Sequence, residues 1–111
     1  MLSHKRDHYC GLLTEANVNE TVHLSGWVQR TRDLGGVVFV WLRDREGLVQ
    51  LVFDNAVCAP EIFELGRSLR SEYVVTVLGE VKKRDEGAIN RDLATGTIDV
   101  PTCMLSRFSR V

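Results

Sequence analysis

Period-two alternation dominates the first half of the chain. Val22, Leu24, Gly26 and Val28 alternate with His23, Ser25, Trp27 and Gln29. Successive side chains of a strand point to opposite faces, so this pattern predicts a first strand over 21–32, running on into Arg30 and Arg32. Val38, Val40 and Leu42 share one face of a second strand, Val37–Asp44, and Val37, Phe39, Trp41 and Arg43 share the other. The first set reads as core. In a third strand over 48–54, Val49, Leu51 and Phe53 point one way and Leu48, Gln50 and Val52 the other, which puts Gln50 off the core. Asp33-Leu34-Gly35-Gly36 offers two glycines able to take positive φ, as a hairpin demands, and Asp44-Arg45-Glu46-Gly47 has the composition of a second turn.

The period changes after Pro60, a residue suited to the first position of a helix. Ile62, Phe63, Leu65 and Leu69 recur near helical spacing and predict one helix over about 59–70. A valine-rich run over 73–84 reads as a long fourth strand. A fifth follows over 97–105, which Pro101 confines to an edge or a bulge, and a charged loop lies between the two. Residues 1–20 are polar and without a clear period, and read as a tail with a short coil and a turn near Asn17–Asn19. Three strands, a helix and two strands over 21–111 make an all-β, five-stranded Greek-key OB-fold barrel with its helix between strands three and four. That architecture binds oligonucleotides across strands two and three, flanked by the loops joining strands one to two and four to five.

Composition narrows the functional classes. At 111 residues and 44% hydrophobic content the chain is long enough for one core and too short for a second. Its net charge of −1 argues against a general coater of nucleic acid, since sequence-independent affinity rests on lysine and arginine at phosphates. Any nucleic-acid site must therefore be local. Cys10, Cys58 and Cys103 are odd in number and form no C-x-x-C pair, so neither a disulfide framework nor zinc is expected. With no long apolar run, the expectation is a cytoplasmic chain without signal peptide or membrane span.

Two large aromatics on the non-core face of strand two, bracketed by Arg30, Arg32 and Arg43, suit unpaired nucleic-acid bases. Phe39 offers a stacking plane, or else packs beneath a loop; Trp41 meets a ligand, or else is covered by the N-terminal tail. Gln50 beside Phe39 carries both a donor and an acceptor for a base edge, and alone would be a surface glutamine. Arg30, Arg32, Lys82, Lys83 and Arg84 are phosphate or base-edge partners if the fold gathers them, and a solvated charge run if it does not. Asp99 repels phosphate, yet its carboxylate accepts paired hydrogen bonds from the N1–H and N2–H₂ of an unpaired guanine. His4, His8 and Cys10 form a loose ligand-like group lacking a fourth member, and no metal is expected there. Arg43, Asp44 and Glu46 resemble a phosphodiester-cleaving set only superficially, because D-R-E-G is plain turn composition. No phosphate loop, nucleophile elbow or H-E-x-x-H occurs, so no catalytic residue is assigned.

The stretches GWVQRTRDLGGVVFVWLRDREGLVQLVF and LGEVKKRDEGAINRDLATGTIDV, with the landmarks RDREG and INRDLATG and the YCG at Tyr9–Gly11, closely resemble the N-terminal anticodon-binding domain of bacterial-type aspartyl-tRNA synthetases. The resemblance spans nearly the whole chain. It implies an OB domain that grips the tRNA anticodon loop. A separate class II domain, outside this chain, would activate aspartate with ATP and magnesium, in a parent enzyme that is a homodimer. On this resemblance the chain is a fragment of that enzyme and holds no catalytic centre. Phe39 matches the residue that stacks on the middle uridine of the GUC anticodon, with Arg32 and Gln50 hydrogen-bonding that base. Asp99 stands where the family commonly places glutamate to read the first-position guanine. Arg84 and Asn90 match loop residues that contact the third base and the backbone, and Ala88 stands where relatives often have an amide. Leu34 replaces a histidine found in some relatives that also charge asparagine tRNA, which points to an aspartate-only enzyme. The readings left beside this one are a free-standing single-strand binder and a protein-interaction barrel.

Overall fold

The longest strand of the N-terminal half carries the irregularity that shapes the site. The structure is a computed structural model that describes residues 7–110, the side chains at 103 and 106–110 lying outside the description. β1 (Thr21–Asp33) runs antiparallel to β2 (Val37–Asp44), pairing Val28 with Leu42 and then Arg30, not Gln29, with Trp41. Gln29 is the extra residue of a β-bulge. Before the bulge, Val22, Leu24 and Val28 lie fully buried on the face shared with Leu42. An unbroken period of two would carry Arg30 and Arg32 onto that same face. The bulge reverses the parity, so Arg30 stands opposite Trp41 and Arg32 opposite Phe39, outside the core. Its carbonyls are satisfied by the chain after the helix: the Glu72 N–H donates to Val28 O at 2.8 Å and the Ser71 hydroxyl to Gln29 O at 3.3 Å. The Gln29 side chain in turn accepts from Nε of Arg43.

β3 (Gly47–Asp54) pairs with β2 along its whole length. β4 (Tyr73–Glu80) pairs with β1, and β6 (Ile98–Arg110) with β4. A parallel contact of Leu51 and Val52 with Val100 and Pro101 joins β3 to β6 and closes the barrel. The fold is the OB barrel that the order of elements predicts. Val38, Val40, Leu42, Val49, Leu51 and Phe53 are each no more than 1% exposed, as their alternation requires. α1 (Pro60–Ser68) packs against β2, β3 and β6, sending Phe63 and, just past its end, Leu69 into the core. Gly66 allows that approach, since a Cβ there would lie 2.6 Å from the Phe53 ring. Arg67 of this helix reaches Asp33 at 3.3 Å and so braces the β1–β2 hairpin.

Several local expectations give way. The long fourth strand is interrupted: β4 ends at Glu80 and β5 (Lys82–Lys83) resumes against Asp99 and Ile98. Gly79 pairs with Thr102 and Lys82 with Asp99, so the same register sets Glu80 opposite Pro101, which has no N–H for the ladder. Val81 turns its backbone to the other side instead, donating to Glu20 O at 2.9 Å and accepting from the Asn19 N–H at 2.8 Å. Of the edge or bulge that Pro101 allows, the last strand takes the bulge: β6 has neighbours on both sides, and its register against β4 shifts at residues 103 and 106. Of the two hairpin glycines only Gly35 takes positive φ, at 92°. Leu48, expected outside, is 8% exposed, beneath the segment whose Thr95 hydroxyl donates to its carbonyl at 2.6 Å.

The largest departure concerns the polar tail. Cys10 and Leu13 are 0% and 2% exposed within the core. The Cys10 N–H donates to Asp44 Oδ2 at 2.6 Å, while Asp44 Oδ1 accepts from the Glu46 N–H at 2.9 Å. The D-R-E-G turn therefore anchors the N-terminal segment, and its buried carboxylate is committed to backbone donors rather than to chemistry. Short 3₁₀ turns at Cys10–Leu12 and Glu15–Asn17 leave no period of two or 3.6 to read, which is why this packing is silent in the sequence.

Val40 is 0% exposed in the barrel wall. Val40→Asp buries an unpaired carboxylate at a cost of several kcal/mol, a large part of a domain's stability of about 5–15 kcal/mol. Circular dichroism should show a protein that no longer melts cooperatively; a melt close to wild type would mean that Val40 faces outward.

Candidate nucleic-acid interface

A cavity of about 500 Å³ opens on the outer face of β1–β3, between it and the loop that joins β5 to β6. The strands contribute Arg30, Arg32, Phe39, Trp41 and Gln50; the loop and its flanks contribute Lys83, Arg84, Asp85, Ala88, Asn90 and Asp99. Seven of the eight residues expected at the site are thus brought together. The eighth, Lys82, is turned away, its ammonium 2.7 Å from Glu80 and 3.2 Å from Asn19. Lys83 lines the cavity in its place, and nothing in the K-K-R run distinguishes the two before the bend at Val81 is known. Asp85 also enters the lining without a sequence signal of its own.

Pairing across the sheet sets the positions. Phe39 sits between Arg32 on β1 and Val52 on β3, and Trp41 between Arg30 and Gln50. Among the described residues, none of the N-terminal segment lines the cavity with Trp41. Instead the Arg30 guanidinium stands 5.6 Å from the indole centroid, within cation–π range, and the indole N–H donates to Gln50 Oε1 at 3.2 Å. On the loop side, Asn90 Oδ1 accepts from the Asp92 N–H at 3.0 Å. A backbone N–H only donates, so the Asn90 atom it meets is the oxygen and the amide NH₂ is left for another partner. Gly96 closes the loop tightly beneath Asn90: a Cβ there would lie 1.7 Å from the Asn90 carbonyl oxygen.

Arg84 is more enclosed than a phosphate contact requires. It is 8% exposed, with Nε donating to Ile98 O at 2.8 Å and Nη1 to Ala88 O at 3.1 Å, so it straps the loop to β6. Its Nη2 is buried and without a hydrogen-bond partner among the described residues. Burial lowers the guanidinium's pKa, and the neighbouring Asp99 offsets part of that effect. Burial likewise raises the Asp99 carboxyl above its ordinary value, with Arg84 opposing and Asp85 reinforcing the shift. The cavity therefore presents amide and guanidinium donors along one side and a reluctantly ionised acceptor on the other.

No described group of three His, Cys, Asp or Glu side chains is placed to hold a metal. His4 lies outside the described residues, His8 is engaged by Asp7 at 2.5 Å, and Cys10 is in the core.

Residues 22–101 match the family model for the tRNA anti-codon, OB-fold nucleic acid binding domain. The chain belongs to this family. Among curated proteins the domain is 53% identical, over 86% of its own length, to the aspartate–tRNA ligase of Listeria monocytogenes. It is 55% identical, over the same share, to that of Halalkalibacterium halodurans. It spans only 16% of the length of either relative. Among solved structures, asparaginyl-tRNA synthetase from Pyrococcus horikoshii, complexed with asparaginyl-adenylate, superposes with a TM-score of 0.77 at 33% identity, covering 94% of this chain and 22% of that one.

The raised Asp99 carboxyl makes a stability prediction with a definite sign. Above its folded-state pKa the group is ionised in both states and the folded state bears the cost of burial. As pH falls, the folded state takes up the proton first and gains stability until the unfolded carboxyl also titrates near about 3.9. Asp99→Asn should therefore be more stable than wild type at pH 7, with the advantage shrinking as pH falls towards about 4. Denaturant titrations at several pH values test this; an asparagine variant less stable at pH 7 would show that the attraction of Arg84 outweighs burial.

Proposed function

We propose that this domain grips the anticodon loop of aspartate tRNA and reads GUC on behalf of an aspartate–tRNA ligase. The observation that carries the reading is Phe39, held on the outer sheet face between Arg32 and Val52 and lining a cavity whose other walls, Trp41 and Ala88 aside, are charged or amide side chains. A phenyl ring so placed stacks on any base, and the surrounding groups supply the selection. Asp99 accepts from the N1–H and N2–H₂ of guanine at the first position. Arg32 and Gln50 meet the middle uracil. The free Asn90 amide donates towards the third base, where cytosine offers acceptors, with Arg84 shaping the loop around it. Arg30 and Lys83 lie at the lining and supply charge for the phosphates. The ligase names of the relatives at 53% and 55% identity support the assignment.

ATP and magnesium belong, on this reading, to a class II catalytic domain outside these residues, in a cytoplasmic homodimer that joins aspartate to the tRNA end. The exposed Leu34 at the β1–β2 hairpin fits an enzyme restricted to aspartate tRNA. No described helix is long and apolar enough to cross a membrane.

Phe39→Ala should weaken binding to an RNA hairpin carrying GUC in its loop by about 1–3 kcal/mol, with an unchanged melting profile, because a stacking plane outside the core is removed. Fluorescence anisotropy titrations report the affinity, and thermal denaturation followed by circular dichroism reports the melting profile. Equal affinity for hairpins of unrelated loop sequence would favour a free-standing single-strand binder, and an absence of RNA affinity a protein-interaction barrel.

A further inference from the structure

Trp41 occupies a position between the cation above it and the amide beside it. An indole N–H donates and never accepts, so the atom of Gln50 that it meets must be the carbonyl oxygen. That atom lies 3.2 Å from Nε1, across the β2–β3 pair. The consequence falls on the other end of the amide. With Oε1 held by Trp41, the Gln50 NH₂ faces away from the indole, has no protein partner among the described residues and belongs to the cavity lining. Trp41 is itself held in place, flanked by Arg30 at 5.6 Å from its centroid.

We propose that Trp41 is a positioning residue that fixes the hydrogen-bond polarity of Gln50, so that the site offers the base on Phe39 a donor and selects a carbonyl oxygen over an exocyclic amino group. Uracil presents O4 where cytosine presents an N4 amino group, so the pinned amide favours uracil. A glutamine free to rotate about its last torsion would serve either base by exchanging its oxygen and nitrogen. The inference rests on the reading that Gln50 meets the middle base.

The test uses the 111-residue chain and two RNA hairpins that differ only in having U or C at the middle of the loop triplet. Wild type should prefer U by about tenfold or more, the scale of a well-formed hydrogen-bonded discrimination. Trp41→Phe keeps an aromatic ring beneath Arg30 and removes the N–H along with the five-membered part of the indole; its affinity for the U hairpin should fall by no more than about threefold while the U-to-C ratio collapses to within about threefold. In Gln50→Glu one carboxylate oxygen accepts from the indole and the other faces the base, so the preference should move towards C. A Trp41→Phe protein that keeps the full preference for U overturns the proposal and leaves the anticodon reading standing. If Trp41→Phe does not fold, a Gln50→Glu protein that still prefers U overturns it equally. No U preference in wild type removes both. Independently of RNA, Gln50→Ala should shift the Trp41 indole N–H resonance and speed its exchange with solvent; an unmoved resonance means the bond is not formed, and the proposal fails.

Discussion

One extra residue in β1 decides what kind of surface this barrel presents. Without the bulge at Gln29, the alternation that buries Val22, Leu24 and Val28 would drive two guanidinium groups at 30 and 32 into the same core, which no apolar interior tolerates. With it, the same strand serves as barrel wall in its first half and as a cationic flank of the aromatic face in its second. The bulge stands because the turn after α1 supplies donors to Val28 and Gln29. The helix thus acts on the site at a distance, by holding the irregularity that orients it.

The second principle of the site is that its polar groups are assigned roles by their neighbours. Two amides, Gln50 and Asn90, have their oxygens taken by protein donors and face the cavity as donors only. Asp99 is the counterpart, an acceptor kept near Arg84 and partly out of water. On the proposed function, such fixed polarity suits a surface that reads bases rather than one that merely holds a strand, and it fits a chain of net charge −1. A general coater multiplies cations at phosphates; here the cations are few and local, and in the proposed reading discrimination rests on hydrogen bonds whose direction is set in advance.

Enclosure of Arg84 illustrates how a residue type misleads about a role. In the run K-K-R-D, three cations read alike as phosphate partners, yet Lys82 pairs with Glu80, Lys83 enters the cavity lining and Arg84 is built into the loop as a strap. The cause is the interruption of the fourth strand opposite Pro101. A proline without an N–H breaks the ladder, Val81 turns to the N-terminal segment, and the three side chains that follow leave in directions that no periodicity specifies.

Much of the fold was legible in the linear pattern because it is local physics. Val38-Val40-Leu42 and Val49-Leu51-Phe53 declare the barrel wall by period two, Pro60 and the spacing to Leu69 declare the helix, and Phe39 and Gln50 declare the opposite face by elimination. Sequence alone therefore determined these barrel-wall positions and which aromatic stands on the opposite face, but not the core places of Cys10, Leu13 and Leu48. The tertiary structure decided what depends on partners distant along the chain: the bulge that rotates Arg30 and Arg32, the anchoring of Cys10 by Asp44 thirty-four positions away, the parting of Lys82 from Lys83, and the bond from Trp41 that settles which end of Gln50 is offered. Alternation records the burial of each side chain against its immediate neighbours. Register shifts and hydrogen-bond polarity are set by whichever donor or acceptor the closed barrel brings alongside, and no local pattern encodes that.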